Sequence, residues 1–385
     1  MTVPLKVVQI VTLVSSDGAY GGPVRVAENQ IAELAKRGHH VSLLASSFER
    51  KKHVDKGNPL VRTFPAFRLF PKLGFAGVTA PLLLLHLPKL VRSADVVHIH
   101  LARDLVTLPA ALICLVLKKP YVLQTHGMVD ESDKRLAILL DFLATRRVLR
   151  GARKIFWLTE LEKTSLQKLT GAETVALSKL ENGVPNYSPS PAPVTAGKVV
   201  DILFLARLHA RKRPVILAEA ANRLSGLIDR ELFKVSFVGP DEGEEEKLRR
   251  SVENSATHVS IDGPMEPDET YSRIRQCDIF VLPSVDEPFP MGVLEAMSAG
   301  KPVVVTDSCG LAPYISDAGA GIVVDTSEAN LTAALRLLVE NVELRESMGL
   351  AARGLAKAKF SMEAVVNSLE DAYRMSLKIE GGDWG

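Results

Sequence analysis

Short runs of aliphatic and β-branched residues alternate with helical patterns along nearly the whole chain. VVQIVTL (7–13), VSLLAS (41–46), DVVHIH (95–100), YVLQTH (121–126) and KIFWLT (154–159) predict strands. Helical patterns lie between them near 23–36, 79–92, 105–117 and 133–149. Pro23 suits the first helical position and Gly38 the end of the same helix. The rhythm breaks at NYSPSPAPVTAGK (186–198), a run with no apolar period. It then restarts with DILFLA (201–206), KVSFVG (234–239), DIFVLPS (278–284), KPVVVTD (301–307) and GIVVD (321–325). Helices are expected near 214–224, 243–255, 268–275, 290–299 and 328–339.

Strands rich in Val, Ile and Leu, separated by helices, mean βαβ units around a parallel sheet. The pattern therefore predicts an α/β chain of two Rossmann-like, doubly wound domains. The first covers 1–188, a linker 189–198, and the second 199–360. The amphipathic stretch from 361 predicts a helix, within 361–385, that crosses back onto the first domain.

The chain has 385 residues, 46% hydrophobic and 24% charged, with a formal net charge of +2. That small excess argues against a nucleic-acid partner. Cys114, Cys277 and Cys309 form no CxxC pair, which fits a reduced, cytoplasmic setting and no cysteine metal site. The start, MTVPLKVVQIVTLVSS, has the character of a first strand and not of a signal peptide. VTAPLLLLHLPKLV (78–91) and LVTLPAALICLVL (105–117) are too short to span a bilayer. Buried helices explain them; an interfacial patch touching the inner membrane and a lipid-linked acceptor is the alternative.

Four stretches carry candidate chemistry. SSDGAYGGPVRV (15–26) follows the first strand, and Gly18, Gly21 and Gly22 permit a tight turn with close backbone approach by an anion. It is neither GxGxxG nor GxxxxGK[ST], so dinucleotide and P-loop readings lose support. LARLHARKRP (205–214) places Arg207 and Lys212 in the loop after the first strand of the second domain. There they form either a phosphate-binding pair or a solvated basic loop; charged hydrogen bonds are worth about 1.5–3 kcal/mol each. In DEPFPMGVLEAMSAGKPVVVTD (286–307), Pro288 and Pro290 keep Glu287 in the loop before a helix that carries Glu295 and ends at Gly300. Two carboxylates flank that helix start, and the amides of Met291, Gly292 and Val293 open it, as a site for sugar hydroxyls and phosphate requires. A dipole-stabilised Glu287 and a surface Glu295 are the plainer alternative. His126, in QTHGMVD (124–130), ends a strand at the edge where ligands bind in such sheets, or is a histidine satisfied by backbone. His98 and His100 share one strand face; no further metal ligands cluster with them, so packing explains the pair.

Together these motifs resemble the retaining glycosyltransferases of family 4, which have the two-domain GT-B fold. The similarity runs in order through nearly the whole chain and is most specific in EPFPMGVLEAMSAGKPVV, with its E-x7-E spacing. The resemblance implies two Rossmann-like domains facing across a cleft, the first for the acceptor and the second for the donor. It implies that Gly21 and Gly22 approach the diphosphate or acceptor, and that Arg207 and Lys212 hold the diphosphate. Glu287 then binds sugar hydroxyls, Glu295 the ribose, and the backbone at 290–293 the phosphates, with His126 beside the reacting sugar. Ala206 and Arg213 stand where the family commonly has Gly. Pro290 also replaces a common Gly and removes one amide.

The implied partners are a nucleotide-sugar donor and a glycan, lipid-linked or small-molecule acceptor, with no cofactor and no metal. The implied setting is bacterial polysaccharide, lipopolysaccharide or glycolipid synthesis at the cytoplasmic face of the membrane. A sugar-nucleotide epimerase of the same fold and an inactive sugar-nucleotide-binding homologue are the alternatives.

Overall fold

The computed structural model describes residues 3–14, 21–49, 60–129, 135–171, 176–185, 199–253 and 258–378. The predicted linker and Gly18 lie outside them. The chain forms two compact units, passing from the first to the second after Gly183 and returning to the first at Met362.

The first unit carries β1 (Lys6–Leu13), β2 (His40–Ser47), β3 (Val61–Pro65), β4 (Phe67–Arg68), β5 (Val78–Thr79), β6 (Val96–His100), β7 (Tyr121–Gln124), β8 (Lys154–Trp157) and β9 (Leu177–Lys179). Seven of these make one sheet in the order β3-β2-β1-β6-β7-β8-β9. Every pairing in it is parallel. β4 and β5 form a small antiparallel hairpin beside it.

Alternation along the strands gives the sheet two apolar faces. Val8, Ile10, Val97 and Ile99 pack under the helices Pro81–Ser93 and Thr107–Val116. Val7, Val11, Val96 and Val122 face the helices Gly21–Lys36 and Met362–Lys378. The last of these brings Val366, Leu369 and Tyr373 into the core, each fully buried. Arg37 and His39 clasp its Glu370 at 3.2 and 2.8 Å.

The second unit has β10 (Val200–Leu205), β11 (Phe233–Val238), β12 (His258–Gly263), β13 (Ile279–Leu282), β14 (Val303–Thr306) and β15 (Gly321–Val324). They form one sheet in the order β12-β11-β10-β13-β14-β15, again all parallel. In both sheets the order reverses beside the first strand, at β1/β6 and at β10/β13. That reversal is where open α/β sheets leave a crevice at the carboxyl ends of their strands. Among the described residues, no helix is long and apolar enough to cross a membrane.

Two local differences from the sequence reading have physical causes, and one expectation is met. The helix opens at Gly21, so Gly21 and Gly22 form its first turn and Pro23 is its third residue. Proline is tolerated there because the first four helical amides have no intrahelical partner. Gly38, at φ +88°, ends the helix as expected: its amide and that of His39 bond Ala35 and Leu34 carbonyls at 2.9 and 3.1 Å. The helix Val342–Lys359 has no prominent apolar stripe in the sequence. It packs through Gly349, where an added Cβ would lie 2.3 Å from the Gly300 carbonyl oxygen.

Leu369→Ala should destabilise the first unit by about 2–5 kcal/mol, and Leu369→Met by less than about 1.5. Urea unfolding followed by hydrogen exchange on β1 and β6 checks this; equal behaviour of the two variants would show that Leu369 is not core.

Candidate active site

In the second unit, two loops leave the sheet at its reversal point. The first follows β10. His209 caps the short turn Ala210–Lys212, accepting the Arg211 amide at 3.1 Å. Arg213 then takes a left-handed conformation, φ +54°, before the helix Pro214–Ser225. Glycine is required next to this loop: Gly239 has φ +149°, and a Cβ there would lie 2.0 Å from the Ala206 carbonyl oxygen. Arg207 projects from the loop and is held by Glu242, with Nη1 at 2.7 and 2.8 Å from the two carboxylate oxygens.

The second loop follows β13 and runs to the helix Met291–Ser298. Asp286 is also left-handed, φ +51°. The loop is pinned on both sides. The Val285 amide donates to the Arg211 carbonyl at 2.9 Å, and the Gly310 amide to the Glu287 carbonyl at 2.9 Å. Gly310 can only be glycine here, since a Cβ would lie 1.8 Å from the Pro288 carbonyl oxygen.

These constraints bring Lys212 and Glu287, seventy-five positions apart, into an ion pair. Their side chains are only 15% and 14% exposed. A pair this shielded is costly unless both members stay partnered, because lone charges lose solvation.

The helix start lies against the same edge. Pro290 is its N-cap, with no side-chain cap bond, and the amides of Met291, Gly292 and Val293 open the helix. A Cβ on Gly292 would be 3.2 Å from the Phe280 ring and 3.5 Å from the Leu205 carbonyl oxygen. The first turn is thus seated on the ends of β10 and β13. Glu295 is buried within the helix, which removes the surface reading of it. It lies within electrostatic reach of Tyr271, whose hydroxyl is pushed up in pKa first by burial; Glu295 adds to the shift and Arg275 and Arg353 oppose it.

In the first unit, His126 lies two residues beyond the end of β7 in a left-handed conformation, φ +49°, and Gly127 continues it at φ +72°. Such backbone costs about 1–3 kcal/mol in a non-glycine residue and persists only where neighbours enforce it. Glu162 does so. Its buried carboxylate accepts the Gly127 and Leu158 amides, both at 2.6 Å, and the Thr125 hydroxyl at 2.5 Å. Glu162 was not singled out from sequence, although Thr159 and Glu162 have the T-x-x-E spacing of a helix start. Glu242 and Gly310 carry no such signal.

His126 Nε2 lies 2.7 Å from His100 Nδ1. His100 and His98 lie in near-parallel planes, 4.7 Å apart. Burial lowers all three imidazoles: His98 and His126 to about 3, and His100 well below its ordinary value. The cluster is therefore uncharged at neutral pH. The two strand histidines, read from sequence as packing, stack on each other, while their hydrogen bonds go to other residues: His98 to Tyr373, His100 to His126 and Gln9.

Of the predicted residues, Lys212, Glu287 and the turn 291–293 meet at one edge of the second sheet. Arg207 shares the Lys212 loop but pairs with Glu242. Gly21, Gly22 and His126 belong to the first unit. Three of the four non-glycine residues with positive φ among those described are His126, Arg213 and Asp286; each is a predicted residue or adjoins one.

The histidines predict a pH dependence. Their folded-state pKa lies below the ordinary 6.5. Between about 6.5 and 3 the unfolded chain binds protons that the folded chain does not. Stability is then complete above about pH 6.5 and falls on acidification, by up to about 1.4 kcal/mol per pH unit per histidine. Urea midpoints of the first unit at about pH 7.5 and about pH 5 should differ accordingly, and His98→Phe should flatten the dependence by about one proton's share. Identical slopes in the two proteins would contradict the buried, neutral state of His98.

Comparison with known proteins adds the family. The profile described as Glycosyltransferase Family 4 matches residues 20–185, and that described as Glycosyl transferases group 1 matches residues 191–355. A D-inositol 3-phosphate glycosyltransferase of Geodermatophilus obscurus is 32% identical over 189 residues, 46% of this chain and 41% of that protein. The alpha-D-kanosaminyltransferase of Streptomyces kanamyceticus is 31% identical over 174 residues, 45% of each chain. The chain thus spans less than half the length of either relative. Among solved structures, Anabaena HepE in complex with UDP-glucose superposes with a TM-score of 0.73 over 95% of this chain and 99% of that one, at 17% identity. The fold is GT-B, and the chain belongs to the family 4 glycosyltransferases.

Proposed function

We propose that this chain transfers a hexosyl group from a nucleotide-diphosphate sugar to a hydroxyl acceptor, with retention of configuration and without a metal ion. The observation that carries this reading is the shielded Lys212–Glu287 pair beside the helix start 291–293, at the reversal point of the second sheet. A nucleotide-sugar supplies both partners that the pair would need when separated. Its diphosphate takes Lys212 and the helix amides, and a sugar hydroxyl takes Glu287. Arg207 is 40% exposed, and an exposed ion pair is worth only about 0–1 kcal/mol, so phosphate competes readily with Glu242 for it.

In the reaction, the bond from the anomeric carbon to the diphosphate breaks and its electron pair goes to the leaving oxygen. The acceptor oxygen bonds the anomeric carbon on the same face, and its proton passes to the departing phosphate. Lys212, Arg207 and the amides of Met291, Gly292 and Val293 stabilise the growing negative charge, which supplies without a metal the preorganised electrostatics this step needs. Glu295, buried in the second turn, is assigned to the ribose. HepE, solved with UDP-glucose, is consistent with a sugar-nucleotide donor; the base, UDP or GDP, is assigned by test.

A lipid-linked acceptor at the cytoplasmic membrane face has separate support. The hairpin of β4 and β5 and the helix after it expose Phe67, Leu69, Phe70, Leu82 and Leu85, with Leu85 74% exposed. Lys89 and Arg92 follow on the same helix, exposed. Apolar side chains flanked by basic ones suit an anionic bilayer surface.

Thermal-shift measurements with UDP, GDP and their sugars should raise the transition of the second unit. Lys212→Met should then lower kcat/KM by about 100-fold or more with the fold retained, and Arg207→Ala somewhat less. EDTA should leave the rate unchanged; loss of activity restored by magnesium would overturn the metal-independent scheme. Conversion of a sugar nucleotide without acceptor would make the protein an epimerase instead. Full-length protein should co-sediment with vesicles containing anionic lipid, and Leu85→Glu should release it; binding that survives this change would place the contact elsewhere.

A further inference from the structure

On the sheet face covered by the helices Gly21–Lys36 and Met362–Lys378, three neighbouring strands each follow a valine with a polar residue. Val7 gives way to Gln9 on β1, Val96 to His98 and His100 on β6, and Val122 to Gln124 on β7. Gln9 registers with His98, and His100 with Gln124. All four polar side chains are buried, and almost all their polar atoms are paired.

The pairing has one consistent direction. The Gln9 amide nitrogen donates to Gln30 Oε1 at 3.2 Å and to the Tyr373 hydroxyl at 3.4 Å. Its Oε1 is therefore the acceptor facing His100 Nε2 at 3.0 Å, and that nitrogen carries the proton. A neutral imidazole has one N–H, so His100 Nδ1 is bare and accepts. The His126 Nε2 beside it must then carry its own proton, which leaves His126 Nδ1 bare.

Further bonds hold the amides in this sense. Gln30 donates to Gln124 Oε1 at 3.0 Å, and Gln124 to Asn182 Oδ1 at 3.4 Å. Tyr373, accepting from Gln9, turns its proton to His98 Nδ1 at 2.8 Å. His126 is half-buried, and its Nδ1 has no partner among the described residues.

We propose that Gln9 and His100 are positioning residues that hold His126 as the Nε2–H tautomer, so that its bare Nδ1 accepts a hydrogen bond from a hydroxyl of the bound ligand. Two independent constraints act on one imidazole. Glu162 fixes where the loop puts it, and the Gln9–His100 relay fixes which nitrogen faces the ligand. Burial keeps the ring neutral, so the acceptor is present across the neutral range. The tautomer does not depend on the proposed reaction; the hydroxyl ligand rests on that reading.

The test is a long-range proton–nitrogen spectrum of the full chain labelled at histidine, with His126 assigned from its loss in His126→Gln. At neutral pH, His126 should show a protonated Nε2 and a bare Nδ1. His100→Phe removes the acceptor while keeping a ring; it should give His126 a mixture of tautomers and lower kcat about tenfold or more, with UDP or GDP affinity unchanged. Should that variant not fold, the wild-type spectrum decides alone: a proton on Nδ1, or a mixture, overturns the proposal. A retained Nε2–H tautomer with unchanged kcat in His100→Phe would also overturn it. An Nε2–H tautomer in a protein that transfers no sugar would support the relay and refute the glycosyl-transfer reading.

Discussion

Two parallel strands can be joined only by a crossover that returns to the starting edge. Every strand of both large sheets therefore delivers its outgoing loop to the same edge, and the residues after β10 and β13, or after β6 and β7, are neighbours whatever their distance in sequence. This constraint underlies each cluster described above. It brings Lys212 to Glu287 and places the first turn of Met291–Ser298 on the ends of two strands. In the other unit it sets His126 beside His100. The strands hold these loops still because both sheet faces are packed with aliphatic side chains.

The two units meet the cost of polar groups differently. In the second, opposite charges are partly shielded and neutralise each other, Lys212 with Glu287 and, more exposed, Arg207 with Glu242. Such pairs can be exchanged for a ligand that brings its own charges and hydroxyls. In the first, the imidazoles of His98, His100 and His126 and the amides of Gln9, Gln30 and Gln124 are neutral, and hydrogen bonds join them in a fixed direction. Burial depresses the imidazoles enough to keep protons off at neutral pH. The first arrangement suits binding an anion, and the second suits presenting one nitrogen in a set orientation.

Local strain marks both places. His126, Arg213 and Asp286 hold left-handed backbone without being glycine, and each is enforced from outside its own loop. Glu162 braces the first. A bond from the Arg213 guanidinium to the Thr326 carbonyl at 2.7 Å accompanies the second. The Val285 and Gly310 amide bonds bracket the third. Close glycine contacts at Gly239 and Gly310 let neighbouring loops approach without a Cβ between them.

Sequence alone determined the alternation of strand and helix, because central strands buried on both faces need unbroken aliphatic runs and their helices need a period. It missed the edge strands Val61–Pro65, Leu177–Lys179 and His258–Gly263, where half-exposed positions mix polar and apolar residues and blur the period. It also located Arg207, Lys212, Glu287, Glu295 and His126 in their loops and helices, since glycine and proline punctuate those loops. What it left undecided was pairing: that Lys212 meets Glu287, that Arg207 meets Glu242, that Glu295 is buried, and that Gln9, His100 and His126 form one relay. Those facts depend on which strands lie side by side and on which face each residue points. That is a property of the assembled sheet, in which residues tens to hundreds of positions apart share one edge.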